Sequence, residues 1–342
     1  MSTRNTRLKF GLLLPLVFVC TAGSAMAQSK VGTTVGAFLR IEPTARVAGM
    51  GNAGSALPGG LEAVYFNPGA IGTIEQAAVS YTHSFWLADI SYDYAALALP
   101  VKGVGNFFAS VTSLNSGEMD VRTVEQPLGT GERFDVSNVA VGLGYGLRVT
   151  SRFATGVQVN FGTERIWHTS NRLMTFSVGT VYKLNEQGMT LGFGLMNFGT
   201  SARYTGGDLS IQYDPTPDVS GDNGALPADQ ATDAFPVPVM FRLGLSVPFK
   251  TSEDSRFLAL IEALHPNDNS ESANVGVEWE WRNMFALRTG YQTLFQTDGQ
   301  LGLTLGFGIK GDLGNNTYQL DYAWAGHKSL EDTQRVSMAI NF

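Results

Sequence analysis

Residues 138–147 constrain the fold more than any other part of this chain. After Asn138, large apolar side chains alternate with alanine or glycine. Successive side chains of a strand point to opposite faces, so one face of this run is bulky and apolar and the other is almost bare. A soluble antiparallel sheet places polar residues opposite its core. An outer-membrane barrel instead presents apolar side chains to lipid and small or polar ones to its lumen. The run therefore predicts an all-β protein, a transmembrane antiparallel β-barrel.

The N-terminus has the three parts of a secretory signal peptide: a basic region, an apolar stretch and an A-x-A cleavage site. These are Arg4, Arg7 and Lys9, then residues 10–19, then residues 25–27. We expect cleavage after Ala27. Export followed by barrel assembly implies the cell outer membrane of a Gram-negative-type bacterium.

Cleavage also changes the charge and the cysteine content. The mature chain has 20 Lys and Arg against 30 Asp and Glu, a net charge of −10, and loses Cys20, its single cysteine. The acidic balance argues against nucleic acid as a partner, and disulfides and thiol catalysis are excluded. No later stretch reaches the roughly 18 uninterrupted apolar residues of a transmembrane helix. A mature chain that spans a membrane must therefore do so as a closed barrel.

From residue 77 onward the two-residue period recurs often enough to predict about fourteen strands. Residues 275–281 and 301–309 are clear examples. Short turns alternate with longer polar connections, as in barrels with short periplasmic turns and longer external loops. An even strand number returns Phe342 to the side on which the barrel begins. The predicted strands are 77–87, 89–100, 103–114, 134–149, 152–165, 172–184, 189–198, 236–249, 256–265, 273–282, 284–293, 300–310, 316–324 and 334–342.

The segment between the leader and the first strand lacks the strand pattern. It carries apolar residues that need burial, such as Phe38, Ile41 and Val64. A barrel of about fourteen strands has a lumen too wide for its own side chains to fill. We expect residues 33–73 to fill it as a plug, because apolar surface left in water costs about 25 cal/mol per Å². The predicted organisation is a signal peptide (1–27), an N-terminal plug segment in the lumen (28–76) and an outer-membrane β-barrel (77–342).

Three motifs of the plug segment are FLRI at 38–41, ARVAGMG at 45–51 and AVYFNPGA at 63–70. They resemble the opening of PorV/PorQ family proteins, within the FadL-like fatty-acid-transporter superfamily. The usual pattern there is Ala-Arg-x-x-x-Met-Gly-Gly followed by Tyr-Trp-Asn-Pro-Ala-Gly. This chain has Asn52 for the second glycine and Phe66 for the tryptophan, and it reverses the last pair. Segments 88–94, 285–291 and 318–323 are also similar, and the resemblance implies a fourteen-stranded barrel with its N-terminal segment inside.

The resemblance also implies a function. Characterised PorV-type members work with the type IX secretion machinery, engaging cargo and handing it to surface attachment. FadL-type members pass hydrophobic molecules through the wall. We therefore expect a non-enzymatic outer-membrane protein associated with secretion, with exported cargo or secretion components as partners. The alternative is a FadL-like channel for hydrophobic small molecules or lipids. In either case outer-membrane lipid surrounds the barrel.

Charged residues occur opposite the apolar faces of the predicted strands. They are expected in the lumen, since a basic residue facing lipid near the midplane costs about 2–4 kcal/mol. We expect them to pair with each other and with the plug, Arg40 and Arg46 meeting an acidic set such as Glu278, Glu280 or Asp321. Asn-Pro is a turn signal, here placed in the plug. The predicted plug and lumen contacts are Arg40, Glu42, Arg46, Asn67, Pro68, Arg242, Glu278, Glu280, Arg288 and Asp321.

No pattern predicts catalysis, a cofactor or a metal. The four histidines share no close spacing, there is no G-x-S-x-G motif, and the adjacent His83 and Ser84 face opposite sides of a strand. Counted from Asp218, the sixth and twelfth residues are Asn223 and Asp229, which do not fit an EF-hand loop. That loop is expected to be solvated, with a loose Ca²⁺ site as the alternative.

Deleting Phe342 tests the predicted route into the membrane. Val336, Met338, Ile340 and Phe342 share one face of the last strand, as in terminal strands recognised by the outer-membrane assembly machinery. We expect the deletion to reduce assembly and to leave protease-sensitive chain in the periplasm. Heat-modifiable barrel, measured by gel mobility and undiminished relative to the full chain, would contradict this.

Overall fold

The computed structural model describes residues 31–218, 221, 223–296 and 299–342. The predicted signal peptide lies outside these residues. Fourteen antiparallel strands, numbered β1 to β14, form one closed barrel. They are Ala78–Phe85, Ser91–Val101, Gly105–Asp120, Arg133–Arg148, Phe153–Ile166, Thr169–Lys183, Thr190–Gly199, Met240–Lys250, Ser255–Pro266, Ser272–Trp281, Phe285–Leu294, Leu301–Leu313, Asn316–His327 and Thr333–Asn341.

Each strand pairs with its neighbours along the chain, and β1 pairs with β14 to close the barrel. In that closing pair Ala78 lies opposite Asn341 and Phe85 opposite Gln334. The Phe342 N–H then donates to the Ala77 carbonyl at 2.9 Å. The predicted fold class, an antiparallel barrel of about fourteen strands, is confirmed.

The two faces of the wall have opposite chemistry. On β4, Val141 and Leu143 point outward and are 42% and 54% exposed. On the inner face the buried side chains include charged ones, such as Arg242, Glu262 and Arg288. Apolar groups outside and charged groups inside reverse the arrangement of a soluble protein, and this arrangement is typical of an outer-membrane barrel. Among the described residues, no helix is long and apolar enough to cross a bilayer.

The connections differ between the two ends of the barrel. At the terminal end, where β1 begins and β14 ends, every connection is a turn of a few residues. At the opposite end, the loop end, the longest connection joins β7 to β8. It contains a strand at Thr205–Gly206 that pairs with β6 and a hairpin of Ser210–Tyr213 with Leu226–Asp229. Short turns and the termini belong to the periplasmic side of such barrels.

Some strand limits differ from the predictions. The strand predicted from residue 236 begins at Met240, because Pro236 and Pro238 have no N–H for a ladder. The strand predicted from residue 172 begins at Thr169. Trp167 and His168 form a tight turn there, and Trp167 adopts the left-handed conformation, φ 53°. The connection predicted at 166–171 is therefore a turn of two residues.

The chain before β1 lies inside the barrel in four short helical turns. They are Ala37–Arg40, Ala45–Ala48, Leu61–Ala63 and Pro68–Thr73. The only α-helical one among them is Ala45–Ala48, and its alanines pack on Ala323 of β13. Phe38, Val64, Phe66 and Ile71 are almost completely buried. We call residues 35–74 the plug.

Candidate functional site in the barrel lumen

The plug backbone rests directly on inward-facing glycines of the wall. A Cβ atom placed on Gly156 of β5 would lie 2.1 Å from the Pro68 carbonyl oxygen. One placed on Gly276 of β10 would lie 2.2 Å from the Met50 oxygen, and one on Gly192 of β7 would lie 1.9 Å from the Ser55 oxygen. No real side chain tolerates such distances, so these positions require glycine for close approach of two backbones.

These glycines were not among the predicted contacts. The two-residue period predicts a bare inner face, as in residues 138–147, and in the structure the plug covers the inner face of the wall at these glycines. The sequence did contain a signal for these contacts, since both the inner strand faces and the segment at 45–56 are rich in small residues. Two surfaces of small residues pack closely with their backbones near each other, and this determines where the plug lies.

Asn67 and Pro68 fasten the second half of the plug. The Asn67 side-chain N–H groups donate to the carbonyls of Ser55 at 2.8 Å and Thr180 at 2.9 Å. Its oxygen accepts from the Gly69 N–H at 2.9 Å and caps the turn that Pro68 begins. Asn67 therefore joins two parts of the plug to β6 of the wall.

Arg46 joins the plug to a row of charges on the wall. Its guanidinium contacts the Glu278 carboxylate through two nitrogens, at 3.0 Å and 2.8 Å. Glu278 also accepts from Arg288 Nε at 2.7 Å, and Arg288 Nη1 donates to Asp321 at 2.7 Å. The carboxylates and guanidiniums alternate across β10, β11 and β13, so each buried charge has an opposite partner.

A second group of charges surrounds Arg242 of β8. Its Nη1 donates to Glu262 of β9 at 2.9 Å, and its Nη2 donates to Glu42 of the plug at 2.8 Å. Glu262 also accepts the backbone N–H of Ser55 at 2.8 Å. The wall again holds the plug with charge-assisted hydrogen bonds, which are the stronger class.

Two of the predicted partners are different in the structure. Arg40 does not meet Glu278, Glu280 or Asp321 but pairs with Asp268, in the loop-end connection between β9 and β10. Arg40 lies near the loop end, whereas Glu280 and Asp321 line a cavity near the terminal end. Glu280 pairs with Arg256 of β9 at 2.6 Å and not with the plug.

The open space is unevenly distributed. A cavity of about 710 Å³ opens at the terminal end between the plug and the wall, and its lining includes Gly60, Ile74, Arg148, Arg152 and Lys183. A cavity of about 50 Å³ adjoins Arg46 and Arg288. Another of about 20 Å³ lies deep in the lumen. Leu39, Tyr65, Tyr94, Gln158 and Met196 are among its lining residues.

The histidines are dispersed. His168 Nδ1 is 2.9 Å from Asp208 in the β7–β8 connection, and His265 is 3.1 Å from Glu271. Desolvation acts to raise the pKa of Asp208, but hydrogen bonds from His168 outweigh it and lower that pKa. Within the described ranges, no group of three His, Cys, Asp or Glu residues is placed to hold a metal ion.

The architecture matches solved outer-membrane transporters. The toluene transporter TodX of Pseudomonas putida superposes with a TM-score of 0.53 at 13% identity, over 86% of this chain and 96% of that one. A FadL homologue of Pseudomonas aeruginosa gives 0.52 at 12% identity, over 88% and 98%. The toluene transporter TbuX of Ralstonia pickettii gives 0.53 at 12%, over 88% and 98%. This chain has a FadL-type barrel fold.

Because the identities are low, the likeness establishes the fold alone. The apolar outer face of the wall agrees with a location in the outer membrane. Two of these neighbours are named as toluene transporters. No family model matches the sequence, and no curated protein does.

Arg46→Ala tests the contact between the plug and the charged row. Without Arg46, Arg288 alone must compensate both Glu278 and Asp321, and breaking a buried pair costs about 3–5 kcal/mol. We expect the variant in detergent to unfold at a lower denaturant concentration than the wild type, as measured by denaturant titration. Arg152→Ala is the matched control, because Arg152 and Glu186 form an exposed pair worth about 0–1 kcal/mol. Equal shifts in both variants would contradict the assigned role of Arg46.

Gly156→Ala tests the backbone contact. The added methyl group meets the Pro68 carbonyl, and overpacking of this kind costs about 1–3 kcal/mol. We expect a lower melting temperature and faster protease cleavage within residues 35–74. Gly311→Ala is the control, because a Cβ on Gly311 of β12 meets no atom within 4 Å. Unchanged protease resistance in Gly156→Ala would show that the plug is not packed against β5.

Proposed function

We propose that this protein is an outer-membrane channel for small hydrophobic molecules, of the FadL type. The observation that carries the proposal is the fold itself. It agrees over 96–98% of the length of two toluene transporters and a FadL homologue. This chain forms a closed wall of fourteen strands, and its own N-terminal segment packs in the lumen.

A small irregularity in the wall supports a path for such molecules. The pairing of β6 with β7 shifts register between Phe176 and Val178, and Asn197 opposite has a left-handed φ of 57°. A bulge of this kind interrupts the ladder and bends the strand. The cavity of about 20 Å³ lies behind it, lined by Met196 and Asn197. The bulge therefore lies between the lipid-facing surface and internal space.

The cavity at the terminal end supports the other half of the path. Its volume of about 710 Å³ is within the usual range for small-molecule sites, about 300–1,000 Å³. Its wall is mixed, with Ile74, Phe153 and Val181 beside Arg148 and Lys183. A hydrophobic molecule released from the lumen would enter this cavity before it reaches the periplasm.

Uptake of radiolabelled toluene tests the proposal. The protein is produced in a Gram-negative host that lacks hydrocarbon channels of its own, and the initial rate is compared with empty vector. We expect a higher rate with the wild-type chain and a rate near the vector background with Met196→Trp, which fills the space behind the bulge. Met174→Trp is the control, because Met174 faces lipid on the neighbouring strand. Wild-type uptake at the vector rate, with normal barrel assembly, would refute the channel.

The resemblance to PorV and PorQ supports a second candidate, a partner of type IX-like secretion that docks cargo or assists surface attachment. The three motifs that carry the resemblance lie at 38–41, 45–51 and 63–70, and most of their residues are buried in the plug. Buried residues serve packing and do not present a surface to cargo, so the transport proposal is preferred. Gentle extraction followed by mass spectrometry of bound proteins and lipids distinguishes the two. Exported proteins would favour docking, and a bound apolar molecule would favour transport.

A further inference from the structure

One buried charge in the lumen differs from the others. Arg335 of β14 is 2% exposed and is among the largest fully buried side chains. Its Nε and Nη1 have no hydrogen-bond partner, and in the described part of the chain no carboxylate oxygen lies within 4 Å of it. An isolated charge in a low-dielectric interior is very costly unless an opposite charge compensates it. Arg46, Arg242 and Arg288 all have such partners.

The neighbours of Arg335 are also unsatisfied. Ser84 lies directly opposite it on β1, and Thr333 precedes it by two residues on the same face of β14. Both side chains are fully buried, and neither hydroxyl has a partner. Nδ1 of His327 on β13 is buried and unpartnered as well. Several unsatisfied polar groups therefore lie on the adjacent strands β1, β13 and β14 near the loop end, and native interiors rarely leave such groups unsatisfied.

The aromatic contact of Arg335 leaves its N–H groups free. The guanidinium carbon lies 5.1 Å from the centre of the Trp86 ring, a cation–π contact. This contact supplies no acceptor oxygen, and Nε and Nη1 remain without a hydrogen-bond partner. Trp86 in turn contacts His327, with 6.4 Å between ring centres. Both aromatic residues are only partly buried, so the group lies one side chain below the loop end.

The chain's own carboxylates do not supply the missing acceptor. Glu42 is engaged by Arg242 at 2.8 Å and by Asn52 at 3.5 Å. Asp332 is exposed and accepts the backbone N–H of His327 at 3.2 Å. Glu62 interacts electrostatically with Arg46 and not with Arg335. Glu42 attracts Arg335 across the lumen without contacting it, so among the described residues the guanidinium has no carboxylate at hydrogen-bond distance.

We propose that Arg335, Ser84 and Thr333 form a binding site for a small monovalent anion at the loop end of the lumen, with Trp86 and His327 as its cover. One guanidinium supplies one positive charge, which matches a single negative charge. Hydroxyl groups can donate to an anion, and the burial of Arg335, Ser84 and Thr333 favours a small ion such as a halide. A water molecule would satisfy hydrogen bonds but would supply no opposite charge.

Bromide is the probe for this site. Crystals of the full-length mature protein are soaked in sodium bromide, and anomalous diffraction is measured at the bromine absorption edge. We expect a peak within hydrogen-bond distance of Arg335 and of at least one of the two hydroxyls. A water molecule there with no anomalous signal, or a protein carboxylate in the same place, would overturn the proposal.

Variants test the same site in solution. The melting temperature of the wild-type protein in detergent should rise when sodium bromide replaces sodium gluconate at equal ionic strength, because an ion that binds only the folded state stabilises it. Arg335→Met should abolish that difference. Arg256→Met, which removes a half-exposed arginine at the terminal end, should retain it. If Arg335→Met does not fold, the double variant Ser84→Ala and Thr333→Val should reduce the difference at least twofold. An unchanged difference in these site variants would overturn the proposal.

Discussion

A closed wall of fourteen strands encloses more space than its inward side chains can fill, and the rest of this structure depends on that constraint. The chain meets it with its own N-terminal segment, which enters the lumen before β1 begins. Close packing of that segment needs small residues on both surfaces, because polypeptide backbones approach closely only where side chains are absent. Gly156, Gly192 and Gly276 on the wall provide this, and Ser55, Met50 and Pro68 occupy the space they leave. The glycines therefore serve the plug as much as the strands.

Charge pairing adds specificity to this packing. Two plug residues, Arg46 and Glu42, each complete a group of charges that the wall begins. Such pairs contribute little net stability when measured against apolar replacements, because desolvation offsets their attraction. They matter because a misplaced plug would leave Glu278 or Arg242 buried without its full set of partners. The short polar turn at Asn67 acts in the same way with backbone carbonyls of Ser55 and Thr180.

The filled lumen also determines how a transported molecule would travel. The interior is lined with charges and hydrogen-bonding groups, which an apolar solute cannot satisfy, and the deep cavity is small. The outer surface is continuous with lipid, in which hydrophobic molecules already concentrate. A path that uses the wall near the β6–β7 bulge and the cavity at the terminal end avoids the densely paired parts of the plug. The anion site at Arg335 lies at the loop end on the β14 side, near the closing pair of the barrel.

The two-residue period was enough to predict the barrel, because it indicates directly which side chains face lipid and which face inward. It also determined that residues such as Arg242, Glu278, Arg288 and Asp321 face inward, since lipid excludes charge. The partners of these charges could be identified only in the folded protein. Arg40 meets Asp268 and Glu280 meets Arg256, because pairing depends on the height and rotation of the plug, which no local pattern encodes. For the same reason, the sequence shows where the glycines are but not that they contact the plug. Nor does it distinguish Arg335, whose charge is unpartnered in the fold, from the other arginines.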